Sequence, residues 1–151
     1  MHGGWRVEEV SEVSPELVSR LCELVAQLSS TAAAPTREEL GRMAASPATR
    51  LLVAHDENGT VLGMLTLAVF RIPTGVRAWI EDVVVDDGAR GRGVGRALTQ
   101  RALELAGAEG ARTVELTSRP DRAAANRLCQ GMGFALRDTN VYRFTAPPRR
   151  S

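Results

Sequence analysis

The chain has 151 residues and a mass of 16.2 kDa, the size of one ordinary domain that buries a core without a disulfide or metal staple. Hydrophobic residues make up 44% and charged residues 25% of it, and 14 Gly with 7 Pro exclude a collagen-like or low-complexity protein. The 19 basic and 18 acidic residues leave a net charge of +1, so no overall field recruits nucleic acid or an anionic membrane, and any anion site is local.

All basic residues are arginines, because the sequence contains no lysine. This excludes a Schiff-base lysine and the lysine of a nucleotide-hydrolase phosphate loop. Cys22 and Cys129 belong to no C-x-x-C pair or zinc-like cluster, so we expect reduced thiols and no metal. Glutamates interrupt the N-terminal apolar positions, which argues against a signal peptide or membrane span. We therefore expect a cytoplasmic protein without membrane or nucleic-acid partners.

The chain begins with signals for an edge strand and a helix. Residues 5–9 favour a short strand, and Ser14-Pro15-Glu16 combines an N-cap, a proline at the first helical position and an early acid. Apolar residues then recur at helical spacing, at Val18, Leu21, Cys22, Val25 and Leu28. On this stripe Cys22 is expected to pack rather than react.

A second helix and a hairpin follow. Thr36 and Glu39 form the capping box of a short helix. Residues 51–54 and 61–70 are rich in β-formers and flank Asn58-Gly59, a pair that favours a tight antiparallel turn.

The middle of the chain predicts a β-α-β unit with parallel strands. Residues 78–85 form an apolar strand whose three consecutive valines indicate burial on both faces. A glycine-rich turn leads into an amphipathic helix that ends near residues 107–110, and residues 112–118 form the next strand.

The C-terminal part predicts a last helix and a closing hairpin. Pro120-Asp121 begins the helix and Gly133 ends it. Residues 134–136 and 141–144 are expected to pair, and residues 147–151 to form a frayed tail. No repeat or linker divides the chain, so we expect one domain over residues 1–151 with an α/β (α+β) fold.

The glycine-rich turn is a candidate anion site. A helix start carries unpaired N–H groups and the positive end of the helix dipole. Glycines let the backbone approach a phosphate and arginines add charge, here Gly91, Gly93, Gly95, Arg90, Arg92 and Arg96. On the glycine spacing alone, a solvated flexible turn explains the pattern about equally well.

Three phosphate-loop patterns compete for this turn. A Walker loop requires the lysine that the chain lacks. A dinucleotide fingerprint fits weakly, because Arg96 stands at the third glycine position and Glu115 lies inside its strand. The third pattern, R-x-x-G-x-G, is satisfied by residues 90–95 after an apolar strand.

Two segments together resemble the GNAT superfamily of acetyl-CoA-dependent N-acetyltransferases. Residues 83–95 are similar to its central strand and pyrophosphate loop, and residues 128–134 to its later helix signature L-Y-x-x-x-G-F. The element order also fits over nearly the whole chain. The resemblance implies a central mixed sheet of about six to seven strands flanked by about four helices.

The resemblance also implies the residues that bind acetyl-CoA. The backbone of Val83 and Val85 would bind the pantetheine arm, although plain core packing also explains these valines. The loop would hold the pyrophosphate. The implied set is Val83, Val84, Val85, Arg90, Gly91, Arg92, Gly93, Val94, Gly95 and Arg96.

The sequence departs from the family pattern in the C-terminal helix. Arg122 stands where many members have an asparagine that touches the cofactor. Cys129 stands where the family commonly has a tyrosine proposed as general acid, so Cys129 is a candidate catalytic residue, although packing as a small apolar side chain is the preferred interpretation.

Acetylation of an alkyl amine requires a base, because such an amine has a reference pKa of about 10.4. Glu81 is the first candidate, since related polyamine acetyltransferases carry an acid in this Glu-Asp context. Burial on a central strand would strengthen it as a base, whereas an ion pair with an arginine would give it a structural role. Asp82 is expected on the opposite face by strand alternation.

These observations predict an N-acetyltransferase in which a primary amine attacks acetyl-CoA directly in a ternary complex. The alternative is a non-catalytic acyl-CoA-binding sensor or partner module with the same fold, which Cys129 motivates. The acceptor class and a homodimer both stay open.

Overall fold

The computed structural model describes residues 4–149, which divide into an N-terminal unit ending at Thr117 and a C-terminal unit beginning at Ser118. The strands of the N-terminal unit are β1 (Trp5–Glu9), β2 (Thr49–Asp56), β3 (Val61–Ile72), β4 (Gly75–Val85) and β5 (Ala111–Glu115). Its helices are α1 (Pro15–Leu28), α2 (Arg37–Ala45) and α3 (Val94–Ala108), with a 3-10 turn at Asp87–Ala89. The C-terminal unit contains α4 (Ala123–Gly131).

The sheet has the order β1-β2-β3-β4-β5. The first three neighbouring pairs are antiparallel, and β4 pairs with β5 in parallel. Because α3 connects the parallel pair, the predicted β-α-β unit is confirmed. Among residues 4–149, no helix has both the length and the apolar character needed to cross a membrane.

The predicted helix starts are confirmed by their caps. The Ser14 hydroxyl accepts a hydrogen bond from the Leu17 N–H at 3.1 Å. The Thr36 hydroxyl accepts from the Glu39 N–H at 3.1 Å, and the Glu39 carboxylate accepts from the Thr36 N–H at 3.0 Å. Both helices therefore satisfy N–H groups of their first turns internally.

The β2–β3 hairpin forms at the predicted turn. Gly59 has a φ of +80°, the left-handed conformation that the Asn-Gly pair predicts. The Asp56 carboxylate adds hydrogen bonds from the N–H groups of Asn58 and Thr60, both at 2.9 Å. Local hydrogen bonding thus sets the register of the hairpin.

One face of the sheet packs against α1 and α2. The buried residues of this cluster are Val10, Leu21, Leu24, Leu40, Leu51, Val53, Val61, Met64 and Val84. Cys22 is half-buried, and its thiol donates a hydrogen bond to the Pro35 carbonyl oxygen at 3.5 Å.

The opposite contact, between β3, β4 and α3, depends on the absence of a side chain at Gly63. A Cβ there would lie 2.9 Å from the Val84 carbonyl oxygen, 3.1 Å from Val94 Cγ1 and 3.2 Å from Leu98 Cδ1. Such distances are shorter than ordinary van der Waals contact. Gly63 therefore lets α3 approach the sheet closely.

The predicted closing hairpin is wrong for the residues that the structure describes. Residues 134–136 and 141–144 form no strand there, and the sheet has five strands rather than about six to seven. Leu136, Val141, Tyr142 and Phe144 are between 72% and 92% exposed. A short hairpin with no buried apolar face is not stable, which explains the difference.

We expect Gly63→Ala to lower the free energy of unfolding by about 1–3 kcal/mol, because the added methyl group must displace backbone or core atoms. Gly41→Ala is the matched control: a Cβ at this α2 position meets nothing within 4 Å and gains helix propensity. Urea denaturation measures both. Equal stability of the two variants would show that the contact at Gly63 is not tight.

Candidate functional site

The chain between β4 and α3 reverses direction through two left-handed glycines. The 3-10 turn at Asp87–Ala89 follows β4, and Gly91 and Gly93 then adopt φ values of +80° and +82°. Residues with a Cβ rarely adopt this conformation. The sequence thus places glycine at the two positions of this loop where the backbone needs it.

The start of α3 presents unpaired N–H groups. The N-cap residue, Gly93, makes no side-chain capping hydrogen bond, and the first bond of the helix runs from the Ala97 N–H to the Gly93 carbonyl at 3.0 Å. The N–H groups of Val94, Gly95 and Arg96 precede that bond and so have no acceptor within the helix. These N–H groups point out of the helix at the positive end of its dipole, which favours the binding of an anion there.

The surroundings of this helix start are open on one side and anchored on the other. A Cβ built on Gly91 or Gly93 meets no atom within 4 Å, which leaves room for a ligand against the backbone. The Val94 side chain is 1% exposed and packs in the core. Val94 can therefore serve a ligand through its N–H group alone.

Arginine side chains supply positive charge around the loop. Arg90 forms an ion pair with Asp87 at 3.0 Å, with both side chains largely exposed. Arg92 and Arg96 are exposed and make no ion pair with any residue between 4 and 149. The loop thus combines backbone donors with two uncompensated guanidinium groups, an arrangement suited to phosphate.

The end of β4 extends beyond its partner β5. The pairing of the two strands ends with Trp79 opposite Glu115, whereas β4 continues to Val85. Val84 is buried in the core cluster, while Val83 and Val85 are half-buried. Full burial is thus observed only at Val84, so the prediction of burial on both faces is not met at the end of β4.

A bulge in β4 changes the expected directions of Glu81 and Asp82. Glu81 lies opposite Thr66 and Val84 opposite Met64, so two residues of β4 face Leu65 alone. Asp82 within the bulge has a φ of +51°. The strict alternation that would place Asp82 opposite to Glu81 is interrupted, and both side chains are exposed.

Glu81 lies on the sheet face that carries α1 and α2. Its partner Thr66 lies opposite Leu51, a member of the core cluster beneath those helices. The burial that would strengthen Glu81 as a base is not observed, since its side chain is exposed. No arginine among residues 4–149 forms an ion pair with it, so the alternative structural role is not observed there.

Two α1 side chains that the sequence analysis did not single out hold the beginning of the loop. The Gln27 amide nitrogen donates to an Asp86 carboxylate oxygen at 2.8 Å, and the Asp87 N–H donates to the Gln27 amide oxygen at 3.1 Å. The Arg20 guanidinium lies 3.4 Å from the same Asp86 oxygen. The Gln27 hydrogen bond, together with the Gly88 N–H and Arg20, lowers the pKa of Asp86.

The C-terminal unit holds the other singled-out residues. Its helix begins at Ala123 rather than at Pro120-Asp121, and the Asn126 amide donates to the carbonyls of Arg119 and Arg122 at 2.9 and 2.8 Å. Cys129 is half-buried on this helix, and burial raises the pKa of its thiol. The thiol is therefore neutral at pH 7.

Between residues 4 and 149, no cluster of three or more His, Cys, Asp or Glu side chains could hold a metal.

The chain is similar in sequence to known acetyltransferases. A model of the acetyltransferase (GNAT) family matches residues 19–134. The chain is 39% identical over 88 residues to a mycothiol acetyltransferase from Beutenbergia cavernae, a match that covers 58% of this chain and 29% of that protein.

Solved structures extend the similarity to nearly the whole chain. A putative acetyltransferase from Agrobacterium tumefaciens has a TM-score of 0.79 at 26% identity, covering 93% of this chain and 99% of that one. An aminoglycoside acetyltransferase from an uncultured soil metagenomic sample has a TM-score of 0.82 at 18% identity, covering 95% of this chain and 97% of that one. The latter similarity is one of fold.

We expect the contribution of Asp86 to stability to be present at neutral pH and lost in acid. Its pKa is lower in the folded chain, so its stabilisation is complete above the ordinary value of about 3.9 and is lost as the pH falls through the lower, folded-state pKa. Asp86→Asn should therefore lower the urea midpoint at pH 7 and lower it by less at pH 2.5. Asp138→Asn, an exposed control, should change neither midpoint. A constant difference for Asp86→Asn between pH 2.5 and 7 would contradict this role.

Proposed function

This chain belongs to the acetyltransferase (GNAT) family, and we propose that it is an N-acetyltransferase that moves the acetyl group of acetyl-CoA to a primary amine by direct attack in a ternary complex. The uncapped start of α3 carries the proposal. Its three N–H groups, the space above two left-handed glycines and the nearby arginines suit a pyrophosphate. Acetyl-CoA is the co-substrate of the family.

In this proposal the backbone and the side chains of the loop have different roles in binding the pyrophosphate. The N–H groups of Val94, Gly95 and Arg96 bind the phosphate oxygens, because no acceptor in the helix competes for them. The guanidinium groups of Arg92 and Arg96 balance the phosphate charge. Arg90 contributes less charge, since Asp87 already pairs with it.

The exposed edge of β4 suits the pantetheine arm. Beyond Trp79, β4 has no β5 partner, so the polar backbone groups on that side can bond an extended ligand as they would another strand. The backbone of Val83 and Val85 takes this role, and the buried side chain of Val84 fixes the strand in the core.

We assign the proton transfer to Glu81. The Glu81 carboxylate accepts a proton from the acceptor ammonium, directly or through a water molecule. The freed nitrogen lone pair attacks the thioester carbonyl carbon, the new N–C bond forms, and the C–S bond breaks with its electron pair on sulfur. The nitrogen then loses its second proton to solvent, which leaves the neutral amide. Exposure of Glu81 on the α1/α2 face allows an amine to reach it.

Departure of the sulfur does not require an acid at Cys129. A thiol with a reference pKa of about 8.5 leaves as a thiolate with little help, and the thiolate then takes a proton from solvent. The neutral, half-buried Cys129 thiol is therefore assigned to packing.

We expect Gly93→Ala to weaken CoA binding by about 10–100-fold, the loss of one or two charge-assisted hydrogen bonds. Gly110→Ala is its matched control at the other end of α3. Both glycines have positive φ, +82° and +85°, and a Cβ on either meets no atom within 4 Å. The backbone strain is thus shared, and only the ligand contact differs. Isothermal titration with CoA that gives equal affinities for the two variants would disprove the loop assignment.

We expect Glu81→Gln to lower kcat/KM at pH 7 by about 10²–10⁴-fold, the usual contribution of a general base. The deficit should shrink as pH rises, because more amine is already neutral. Asp82→Asn is the control, since it removes the adjacent exposed charge and asparagine tolerates the positive φ there.

The assay follows CoA release with a panel of primary amines. The panel includes an aminoglycoside, a mycothiol-related amine, a polyamine and a lysine peptide, because relatives are named for the first two acceptor classes. A loss of kcat/KM in Asp82→Asn but not in Glu81→Gln would assign the role of base to Asp82 instead. Saturable acetyl-CoA binding without turnover of any amine would instead support the non-catalytic acyl-CoA-binding module.

A further inference from the structure

We propose that Gln27 is a positioning residue for the CoA-binding loop. Its side-chain amide ties the C-terminal part of α1 to the turn between β4 and α3. This inference rests on the proposed function of that loop and adds a residue that lies outside the R-x-x-G-x-G pattern at residues 90–95.

The Gln27 amide uses both of its ends on the turn. Its nitrogen donates to Asp86 Oδ1 at 2.8 Å, and its oxygen accepts from the Asp87 N–H at 3.1 Å. The two bonds fix a side chain and the next backbone unit together. Gln27 thus restrains the orientation of the peptide that leaves β4.

Asp86 passes this restraint into the loop. Its second carboxylate oxygen accepts from the Gly88 N–H at 3.1 Å, and its carbonyl accepts from the Ala89 N–H at 2.8 Å. Its own N–H donates to the Leu62 carbonyl at 2.8 Å. The residue held by Gln27 is therefore the one that shapes the 3-10 turn before the glycines.

Charged side chains also hold Asp86 and Asp87 in the turn between β4 and α3. The Arg20 guanidinium contacts Asp86 at 3.4 Å, donates to the Val61 carbonyl at 2.8 Å and pairs with Glu23 at 3.2 Å. The Asp87 carboxylate pairs with Arg90, the first arginine of the loop. Gln27 is neutral, so it holds Asp86 without adding charge near the phosphates.

Gln27 contacts the loop but not the apolar core, so its substitution should affect the position of the loop without lowering the stability of the core. Gln27 is exposed on α1, and its hydrogen bonds join it to the turn rather than to the apolar cluster. Its loss should leave the core intact and allow the loop to adopt more conformations. Such a change reduces affinity for CoA through the cost of ordering the loop, with little effect on kcat.

A hydrogen-bond reversal tests the pair. In Gln27→Glu the new carboxylate faces the carboxylate of Asp86, and neither can donate a hydrogen bond. In Asp86→Asn the new side-chain NH2 group faces another N–H donor whichever way the amide is turned, either at Gln27 or at Gly88. In the double variant Gln27→Glu/Asp86→Asn, the asparagine amide donates to one glutamate oxygen while the other accepts from the Asp87 N–H. The double variant therefore restores both bonds with the direction of one reversed.

We expect each single variant to weaken CoA binding and raise the KM for acetyl-CoA about three- to tenfold, with kcat changed less than about twofold. The double variant should return to within about twofold of the parent. Gln100→Glu, the same change at an exposed α3 position, should bind CoA like the parent. Urea denaturation verifies that each variant folds. Gln27→Met replaces Gln27→Glu if the latter does not fold.

Two results would overturn the proposal. Folded single variants that bind CoA like the parent would show that Gln27 has no effect on the loop. A double variant weaker than both singles would show that the two side chains do not act as a pair. If the parent itself does not bind CoA, the proposed function fails first, and the two failures are thereby distinguished.

Discussion

The left-handed backbone at Gly91 and Gly93 is the constraint on which the candidate site depends. It lets the chain turn from β4 into α3 without the cost of about 1–2 kcal/mol that a Cβ would impose at each position. It also leaves α3 without a side-chain cap, whereas α1 and α2 are capped by Ser14 and by Thr36 with Glu39. A cap at Gly93 would occupy a donor that the proposed pyrophosphate needs. Helix stabilisation is given up where a ligand can supply it.

The core holds this exposed loop at both of its ends. Val84 precedes it in the α1/α2 cluster, and Val94 follows it in the contact of α3 with the sheet. Gly63 brings these two anchors together, because a side chain there would collide with the Val84 carbonyl and with Val94. Close packing therefore limits the movement of the loop ends, and the donors can be ordered before a ligand arrives.

Local signals allowed much of the fold to be predicted. Ser14, the Thr36 capping box and Asn58-Gly59 determine nearby hydrogen bonds, so their helices and turn follow from residues within a few positions. The bulge at Asp82 arises from pairing with β3, and Gln27 meets Asp86 across 59 positions, so neither has a local signal. The apolar residues near Val141 suggested a strand of a closing hairpin, but such residues alone do not supply a partner or a buried face.

The central claim is that the N–H groups at the start of α3 bind the pyrophosphate of CoA. Titration of the ¹⁵N-labelled protein with CoA, followed by amide chemical shifts, tests it most directly. The account predicts saturable changes that are largest for Val94, Gly95 and Arg96, with smaller ones at Val83 and Val85. Saturable binding that leaves these amides unchanged and shifts those of the β2–β3 turn around Asn58 would contradict it.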